Sequence, residues 1–317
     1  LRKELSKKSQ KNYKWTSNSD TETLLACIEE WGIQISLNKF VGMFAFALWD
    51  KKKRLLYLVR DRFGEKPLYY GHRKIIYSEK KSFVFASDLS ALRAIPGFNV
   101  ELNKSAIASF FNQGFISAPL TIEDGIYQLK PGHYLEIDFQ NVEESDFSKL
   151  KQKLWYDSSD KSYESSQYKD SSEEELLDIL KNNLLTSIEE KTIADVPIGV
   201  FLSGGIDSSL ICCLLQSRSR KPIDTFTIMF PDNNEGEKGF NEGPYAKSIA
   251  EHIGTNHTEI ALSSNDLLNI IPNLSSIYSE PFADSSQIPT FILSKFARSK
   301  VKVSLLFKVL KIFFCMA

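Results

Sequence analysis

The sequence predicts two fold types in succession: an α+β half built on antiparallel strands, then an α/β half with a doubly wound parallel sheet. The first half contains two apolar runs, Gly42–Trp49 and Leu55–Val59, separated by the charged turn Lys51–Lys53, which is typical of an antiparallel hairpin. The second half alternates strand-like and helix-like segments, which requires parallel strands with crossover connections. The 317 residues suffice for two domains.

Composition and charge exclude several classes of protein. The 42% hydrophobic and 25% charged content is that of a globular protein and not of a disordered or fibrous one. The 39 Lys and Arg against 40 Asp and Glu lack the basic excess of a dedicated nucleic-acid binder. The apolar runs are too short for a membrane helix, and the basic start is not a signal peptide.

The cysteines indicate a reducing compartment. They form neither a CxxC pair nor a disulfide framework, and they are Cys27, Cys212, Cys213 and Cys315. We therefore expect a cytoplasmic protein.

Further elements of the first half are short and bounded by turns. Pro96-Gly97 and Pro131-Gly132 are the sharpest of these turns. The predicted strands are Leu68–Tyr70, Ile75–Tyr77, Phe83–Ala86 and Tyr134–Ile137, and the predicted helix is Leu89–Ile95.

A polar segment predicts the boundary between the halves. Residues 141–171 are rich in Ser, Asp, Glu and Lys with little apolar periodicity, which is typical of a linker. We expect Trp155-Tyr156 to dock this linker. The predicted domains are therefore 1–140 and 172–317.

The second half begins with a helix. Ser172 and Glu175 form a capping-box pattern ahead of the apolar stripe Leu176, Leu180, Leu184 and Ile188. The later strands are predicted at Ile198–Leu202, Thr225–Phe230, His257–Leu262 and Val301–Leu305, and the helices between them include Ser208–Gln216 and Pro244–Ile253.

The stretch Val200–Ser209, VFLSGGIDSS, has the chemistry of a phosphate-binding loop. A Gly pair lets the backbone approach an anion, and the N–H groups of the following helix carry a partial positive charge. Asp207 would repel bare phosphate, but it suits a Mg²⁺ ion held between carboxylate and phosphate oxygens. The alternative is a tight strand–helix turn with an ordinary helix cap.

These residues resemble a known family. SGGIDSS resembles the pyrophosphate loop of the ATP pyrophosphatases. The wider set resembles the glutamine-hydrolysing asparagine synthetases from about Leu1 to about Leu305. It includes GMFAFALWDKKKRLLYLVRDRFGEKPLYYG, FASDLSALRAIPG, GIYQLKPGHYLEI, DVPIGVFLSGGIDSS, YAKSIAEHIGTNHTEI and EPFADSSQIPTFILSKFAR.

The resemblance implies a glutaminase of the Ntn-hydrolase type followed by an ATP-pyrophosphatase domain of the adenine nucleotide alpha hydrolase type. The first domain would release ammonia from L-glutamine. The second would use ATP and Mg²⁺ to convert L-aspartate into an acyl adenylate that ammonia attacks. The resemblance implies no nucleic-acid or membrane partner, and it leaves a homodimer open.

The resemblance also implies site residues at matching positions. Asp20 would bind the α-amino group of glutamine, and Asp207 would meet Mg²⁺. The backbone of Ile228 would meet adenine. The full ATP set is Leu202, Ser203, Gly204, Gly205, Asp207, Ser208 and Ile228, and the acceptor-side candidates are Glu280, Asp284 and Ser285.

Several of these residues have a structural alternative. Asp20 also suits the N-cap of the helix that follows it, and Ile228 suits an apolar core. His252 and His257 have poor metal-ligand spacing and are expected at the surface. Residues 60–62, Arg-Asp-Arg, suit either an anionic pocket or a solvated loop braced by ion pairs.

The sequence departs from the family at both ends. The N-terminal cysteine nucleophile of the family is absent, so no catalytic residue is assigned, and Cys27 is expected in the core. After VKVSL the chain reads LFKVLKIFFCMA instead of an SGDGGDE-type loop. This indicates a truncation or frameshift, with an amphipathic helix over Leu305–Met316 as the alternative.

The expected function is glutamine-hydrolysing asparagine synthase, represented by a fragment with impaired activity. Two alternatives remain open. One is a related adenylating amidotransferase for another carboxylate, and the other is a non-catalytic nucleotide-binding module.

Overall fold

The structure, a computed structural model, describes residues 1–8, 13–76, 81–139, 150–157, 168–193, 196–230, 241–308 and 311–315. The chain packs as two compact units that alternate along the sequence. Unit 1 comprises Leu1–Leu68 and Leu129–Tyr163, and unit 2 comprises Tyr69–Gln128 and Glu164–Ala317. Most of the predicted linker lies outside the described residues.

The secondary structure mixes helices and short strands in both units. The helices are α1 Arg2–Lys8, α2 Asp20–Lys39, α3 Leu89–Arg93, α4 Lys104–Gln113, α5 Glu173–Lys191, α6 Ile206–Arg218, α7 Gly243–Ile253, α8 Ser264–Leu268, α9 Leu274–Ile277 and α10 Gln287–Lys300. The strands are β1 Ala45–Asp50, β2 Leu55–Arg60, β3 Tyr69–Lys74, β4 Lys81–Ala86, β5 Ile126–Gln128, β6 His133–Asp138, β7 Lys153–Leu154, β8 Ile198–Phe201, β9 Asp224–Met229, β10 Asn256–Ala261, β11 Val303–Lys308 and β12 Lys311–Cys315.

Unit 1 is built on an antiparallel sheet in the order β1-β2-β6-β7. The predicted hairpin is confirmed, with Leu48 opposite Tyr57. Helices α1 and α2 contribute Leu5, Cys27 and Leu37 to the core on this sheet. The position of Cys27 in that core is as expected.

Trp155 belongs to the core of unit 1 and is not part of a free linker. Its ring is buried, stacks on Phe44 with centroids 6.1 Å apart, and donates its Nε1–H to the Arg60 carbonyl at 3.1 Å. The predicted docking by Trp155 is therefore confirmed.

Unit 2 contains a five-stranded sheet in the order β10-β9-β8-β11-β12. The first four strands are parallel, and β12 pairs antiparallel with β11 at the edge. Buried residues of α6 and α7 pack with Val200 and Leu202, whereas those of α10 pack with Phe201 and Phe226. Helices therefore cover both faces, and the predicted doubly wound arrangement is confirmed.

A second sheet of unit 2 has the antiparallel order β4-β3-β5. Tyr69, Val84 and Ile126 of this sheet pack against Leu89 and Leu92 of α3. The predicted separate strand at Ile75–Tyr77 is wrong, because β3 continues through Lys74 and Ile75 and Ile76 lie outside any strand. Tyr77 lies outside the described residues.

Two other expectations are corrected in unit 2. Leu176 and Leu180 of the predicted stripe are exposed, because α5 packs on α6 only through its C-terminal half, where Leu185 and Ile188 are buried. The proposed helix over Leu305–Met316 is also wrong, because residues 303–308 and 311–315 form a hairpin. Its β-branched and aromatic residues favour strands.

Among the helices within the described ranges, none combines the length and apolar character needed to cross a membrane.

Candidate active site

The strongest candidate site is the loop between β8 and α6. The strand order reverses between β8 and β11, and the loop lies at the carboxyl end of β8. In open α/β sheets, ligands bind outside the carboxyl ends of the strands at such a switch point. The topology therefore places the predicted phosphate loop where a ligand is expected.

Gly204 gives this loop its close backbone packing. Its φ is +79°, and an added Cβ would lie 2.8 Å from Tyr245 Cβ and 2.9 Å from the Ala246 nitrogen. A side chain at this position would therefore be strained twice, by conformation and by contact.

The start of α6 has no side-chain cap. Gly205 is the N-cap residue, and it has no side chain to accept from the first-turn N–H groups. The alternative of an ordinary capped turn is therefore not the observed geometry. Uncapped first-turn N–H groups are a favourable environment for an anion.

The two predicted phosphate-binding serines face each other across the loop. Their hydroxyl oxygens lie 2.9 Å apart, and Ser208 Oγ also accepts from the Ser203 N–H at 3.2 Å. Ser208 is buried, whereas Ser203 and Asp207 are exposed. Ser208 thus holds the loop closed, and Ser203 and Asp207 remain accessible to a ligand.

Leu202 and Ile228 lie on adjacent segments of the same sheet. The buried Leu202 donates its N–H to the Phe226 carbonyl at 2.9 Å, which ties the loop to β9. Ile228 is partly buried, packs with the core under α10 and pairs with Ile260 in β10. Its side chain is structural, as the alternative interpretation held.

Asp20 occupies the first turn of α2 but does not cap it. The N-cap is Ser19, whose side chain accepts from the Thr21 N–H at 3.2 Å. The capping alternative for Asp20 is therefore wrong. Its exposed carboxylate lies beside the positive end of the helix.

Two residues that sequence reasoning missed hold the turn before Asp20. Glu22 accepts from the backbone N–H and hydroxyl groups of Thr16 and Ser17 at 2.9–3.0 Å. These hydrogen bonds, led by that from the Thr16 N–H, lower the pKa of Glu22 to about 2. Arg2 donates to the carbonyls of Ser17 at 2.7 Å and Ser19 at 2.8 Å.

The sequence singles out Glu22 through a capping-box pattern, but it predicts a different bond. Ser19 and Glu22 have the spacing of a capping box, which predicts a bond from the Ser19 N–H to Glu22. In the structure the Ser19 N–H instead donates to Ser17 Oγ at 3.2 Å, and Glu22 reaches back to the preceding turn.

The acceptor-side candidates are not equivalent. Glu280 is partly buried, accepting from the Ile122 N–H at 2.7 Å and the Tyr69 hydroxyl at 3.5 Å, and burial raises its pKa. Asp284 accepts from the Ser286 N–H at 2.8 Å at the start of α10. Ser285 is exposed.

Arg60 and Asp61 do not lie in a solvated loop. Arg60 and Asp61 are buried, and Arg60 donates to the carbonyls of Leu129 at 2.6 Å and Gly64 at 2.7 Å. Asp61 accepts from the N–H groups of Glu65 and Lys66 at 2.9 Å. The expectation of a solvated loop is therefore wrong for Arg60 and Asp61, because these charges satisfy backbone groups of a buried turn.

The histidines are only partly as expected. His252 is exposed, but His257 is half-buried, with Nδ1 2.9 Å from Thr225 Oγ1. Burial lowers the pKa of His257. Within the described residues, no group of three His, Cys, Asp or Glu side chains forms a metal cluster.

Two family models match the chain. The glutamine amidotransferase domain matches residues 1–148, and asparagine synthase matches residues 180–306. A putative glutamine-hydrolysing asparagine synthetase 2 of Methanocaldococcus jannaschii is 32% identical over 93% of this chain and 53% of its own length. Glutamine-hydrolysing asparagine synthetase 1 of Bacillus subtilis is 29% identical over 96% of this chain and 44% of its own.

A solved structure of a glutamine-dependent NAD⁺ synthetase from Acinetobacter baumannii aligns over 91% of this chain and 65% of its own, with 11% identity and a TM-score of 0.32. That likeness is too distant to argue from.

The matched domains define a class in which a glutamine amidotransferase domain is joined to an asparagine synthase domain. Within that class the chain is similar, over most of its own length, to proteins named as glutamine-hydrolysing asparagine synthetases. It spans about half the length of the curated relatives that it matches.

Proposed function

We propose that this chain contributes the glutamine side and the nucleotide-binding loop of an asparagine synthase. The enzyme would adenylate the side-chain carboxylate of L-aspartate with ATP, releasing pyrophosphate. Ammonia from L-glutamine would then attack the acyl carbon, and AMP would leave. The single observation that carries this proposal is the uncapped start of α6, with the glycine turn packed closely at the switch point of the parallel sheet.

The loop residues have separate roles in this proposal. The first-turn N–H groups of α6 and the Ser203 hydroxyl would hold the phosphates of ATP. Ser208 would keep the loop closed through its bond network, and the backbone of Ile228 would face adenine. Asp207 would hold Mg²⁺ together with phosphate oxygens, since this ion is usually bound by one or two carboxylates plus substrate phosphates. The ion would neutralise charge on the departing pyrophosphate.

The remaining assignments are also part of the proposal. Asp20 would bind the ammonium group of glutamine, for which its exposure and negative charge are suited. Glu280, Asp284 and Ser285 would lie on the acceptor side. We further propose the Ntn-hydrolase type for the glutaminase, domain limits of 1–140 and 172–317, and a cytoplasmic location. Whether the protein is a homodimer stays a prediction.

The nucleotide site can be tested by titration. The full chain would be titrated with α,β-methylene-ATP, whose α–β bond cannot be cleaved, with and without Mg²⁺. Asp207→Asn should weaken binding about tenfold with Mg²⁺, because a charged ligand is lost. Without Mg²⁺ it should not weaken binding, because a repulsive charge has gone.

Asp178→Asn is the matched control, since Asp178 is an exposed acid of α5 away from the loop. It should leave both titrations unchanged. Equal Mg²⁺-dependent affinity of Asp207→Asn and wild type would refute the metal role. Absence of nucleotide binding by the wild-type chain would refute the nucleotide site.

A further inference from the structure

One segment matches the glutaminase family model but packs with the synthetase elements. Residues 69–128 lie within the range matched by the glutamine amidotransferase domain, 1–148. They nevertheless belong to unit 2, together with the asparagine synthase match at 180–306. The packing boundary and the family boundary therefore differ, and the contacts of this segment show what it does in unit 2.

The segment binds the acceptor-side loop at successive residues. Arg93 Nη2 donates to the Ser279 carbonyl at 2.8 Å, and the Ile122 N–H donates to Glu280 Oε1 at 2.7 Å. Further along the loop, the Ala283 N–H donates to the Gly114 carbonyl at 2.6 Å. These partners come from three different parts of the segment, so the loop is held along its length and not at one point.

A buried charge sets the position of Arg93. Glu123 is fully buried, and its Oε1 accepts from Arg93 Nε at 2.6 Å. The Thr121 hydroxyl donates to the Glu123 carbonyl at 2.9 Å, and the Glu123 N–H donates back to it at 3.2 Å. The ion pair thus rests on a fixed turn. A planar guanidinium can donate to the carboxylate and the carbonyl at once, whereas an ammonium ion has no such fork.

The hydrogen bonds that hold Ser279 and Glu280 originate from neighbouring positions of the segment. Ile122 and Glu123 are consecutive, and they hold Glu280 and Ser279, the second through Arg93. Two neighbouring residues on one turn therefore fix two neighbouring residues on the loop. Such an arrangement defines both the position and the direction of the loop, which a single contact would not.

We propose that Arg93 and Glu123 are positioning residues for the acceptor-side loop Ser279–Ser285, so that the glutaminase-family segment sets the geometry in which the acceptor carboxylate binds. This inference rests on the proposed function for the identity of the acceptor. It goes beyond that function because it assigns Arg93 and Glu123, which belong to segment 69–128, to the amidation half-reaction. Neither residue needs to touch substrate.

The test compares the effect of each substitution on the acceptor-side loop with its effect on nucleotide binding. Arg93→Ala, Arg93→Lys and Glu123→Gln would be made in the full chain, with Arg218→Ala as the control for loss of an exposed arginine. Hydrogen exchange of residues 279–286 reports on the loop. Titrations with L-aspartate and with α,β-methylene-ATP, both with Mg²⁺, report on the two sites.

Arg93→Ala and Glu123→Gln should speed exchange in 279–286 and weaken aspartate binding about tenfold or more, since small displacements of a site are costly. Nucleotide affinity should change less than about twofold, because the phosphate loop is held by its own residues. Arg93→Lys should keep the unfolding midpoint closer to that of wild type than Arg93→Ala does. It should still speed exchange, because an ammonium group lacks the planar fork that donates to the Glu123 carboxylate and the Ser279 carbonyl.

Unchanged exchange in 279–286, or equal loss of aspartate and nucleotide affinity, would overturn the positioning role. If wild type binds the nucleotide but not aspartate, the proposed acceptor is wrong. The exchange measurement then decides by itself whether Arg93 and Glu123 position the loop.

Discussion

The proposed phosphate loop of unit 2 and the turn before Asp20 in unit 1 are held in opposite ways. The loop 203–208 is stabilised by its own atoms: the two serine hydroxyls bond each other, and Gly204 provides the conformation. The turn 16–19 is held by Glu22 and by Arg2, which lies 15 residues before Ser17. A loop built from local contacts can be inferred from a short motif, whereas a braced turn depends on a partner elsewhere in the chain.

The largest expected effect is at the centre of the self-contained loop. Gly204→Ala should lower the free energy of unfolding by about 2–4 kcal/mol, combining a left-handed backbone with overpacking against Tyr245. It should also abolish measurable nucleotide binding, because the loop must move to relieve the contact. Chemical denaturation and the nucleotide titration measure the two effects.

Gly205→Ala is the matched control for this substitution. The added Cβ would meet only Ser203 Oγ at 3.4 Å, and the φ of Gly205 is −73°. Its destabilisation should be clearly smaller. If both glycine variants are equally destabilised, the close approach of Gly204 to Tyr245 is not what limits the loop.

The braced turn should be sensitive to acid. The pKa of Glu22 is lowered to about 2 by the bonds from Thr16 and Ser17, whereas the unfolded chain keeps the ordinary value of 4.5. The stabilisation is therefore present above pH 4.5 and is lost as the pH falls through 4.5 toward 2. Denaturation midpoints of wild type and Glu22→Gln should converge over this window.

Glu30→Gln is the control for loss of a carboxylate from the same helix, where Glu30 accepts from the Tyr13 hydroxyl at 3.0 Å. At neutral pH its midpoint shows the cost of removing one carboxylate from α2, against which the cost of Glu22→Gln is compared. A Glu22→Gln offset that does not change with pH would contradict the brace.

The success of the sequence predictions depends on whether a feature is built from neighbouring residues or from residues far apart in the chain. The hairpin and the parallel sheet depend on patterns within a few residues, and both predictions are confirmed. The glycine turn between β8 and α6 was located in the same way, and its binding of phosphate stays a prediction. The brace by Arg2 and the bonds from Arg93 to Ser279 and Ile122 to Glu280 join residues that are 15 to 186 positions apart. Local patterns carry no information about such partners. Arg60 and Asp61 were misjudged for another reason, because the sequence does not show that the turn containing Gly64, Glu65 and Lys66 is buried.

Loss of a serine should destabilise the start of α2 more than the start of α6. Ser19 caps α2 with its side chain, whereas Gly205 provides no side-chain cap to α6. Ser19→Ala should therefore cost about 1 kcal/mol of unfolding free energy. Ser209→Ala, at the start of α6, removes a hydroxyl that bonds the Gly205 carbonyl at 2.6 Å but caps no N–H group, so it should cost less. Equal losses would mean that the Ser19 cap is not the reason for the cost.

The smallest effect is expected at the far end of α6, and it tests whether the phosphate loop is self-contained. Arg218 lies in the last turn and pairs with Glu189 of α5 at 3.2 Å, with each side chain 56% exposed. Water and salt screen such a pair, so Arg218→Ala should change the unfolding free energy by about 0–1 kcal/mol, and less at high salt. Nucleotide affinity should stay within about twofold of wild type, because additivity holds for sites without shared partners. A loss of nucleotide binding in Arg218→Ala would show that the loop depends on the α5–α6 contact and is not held by its own residues alone.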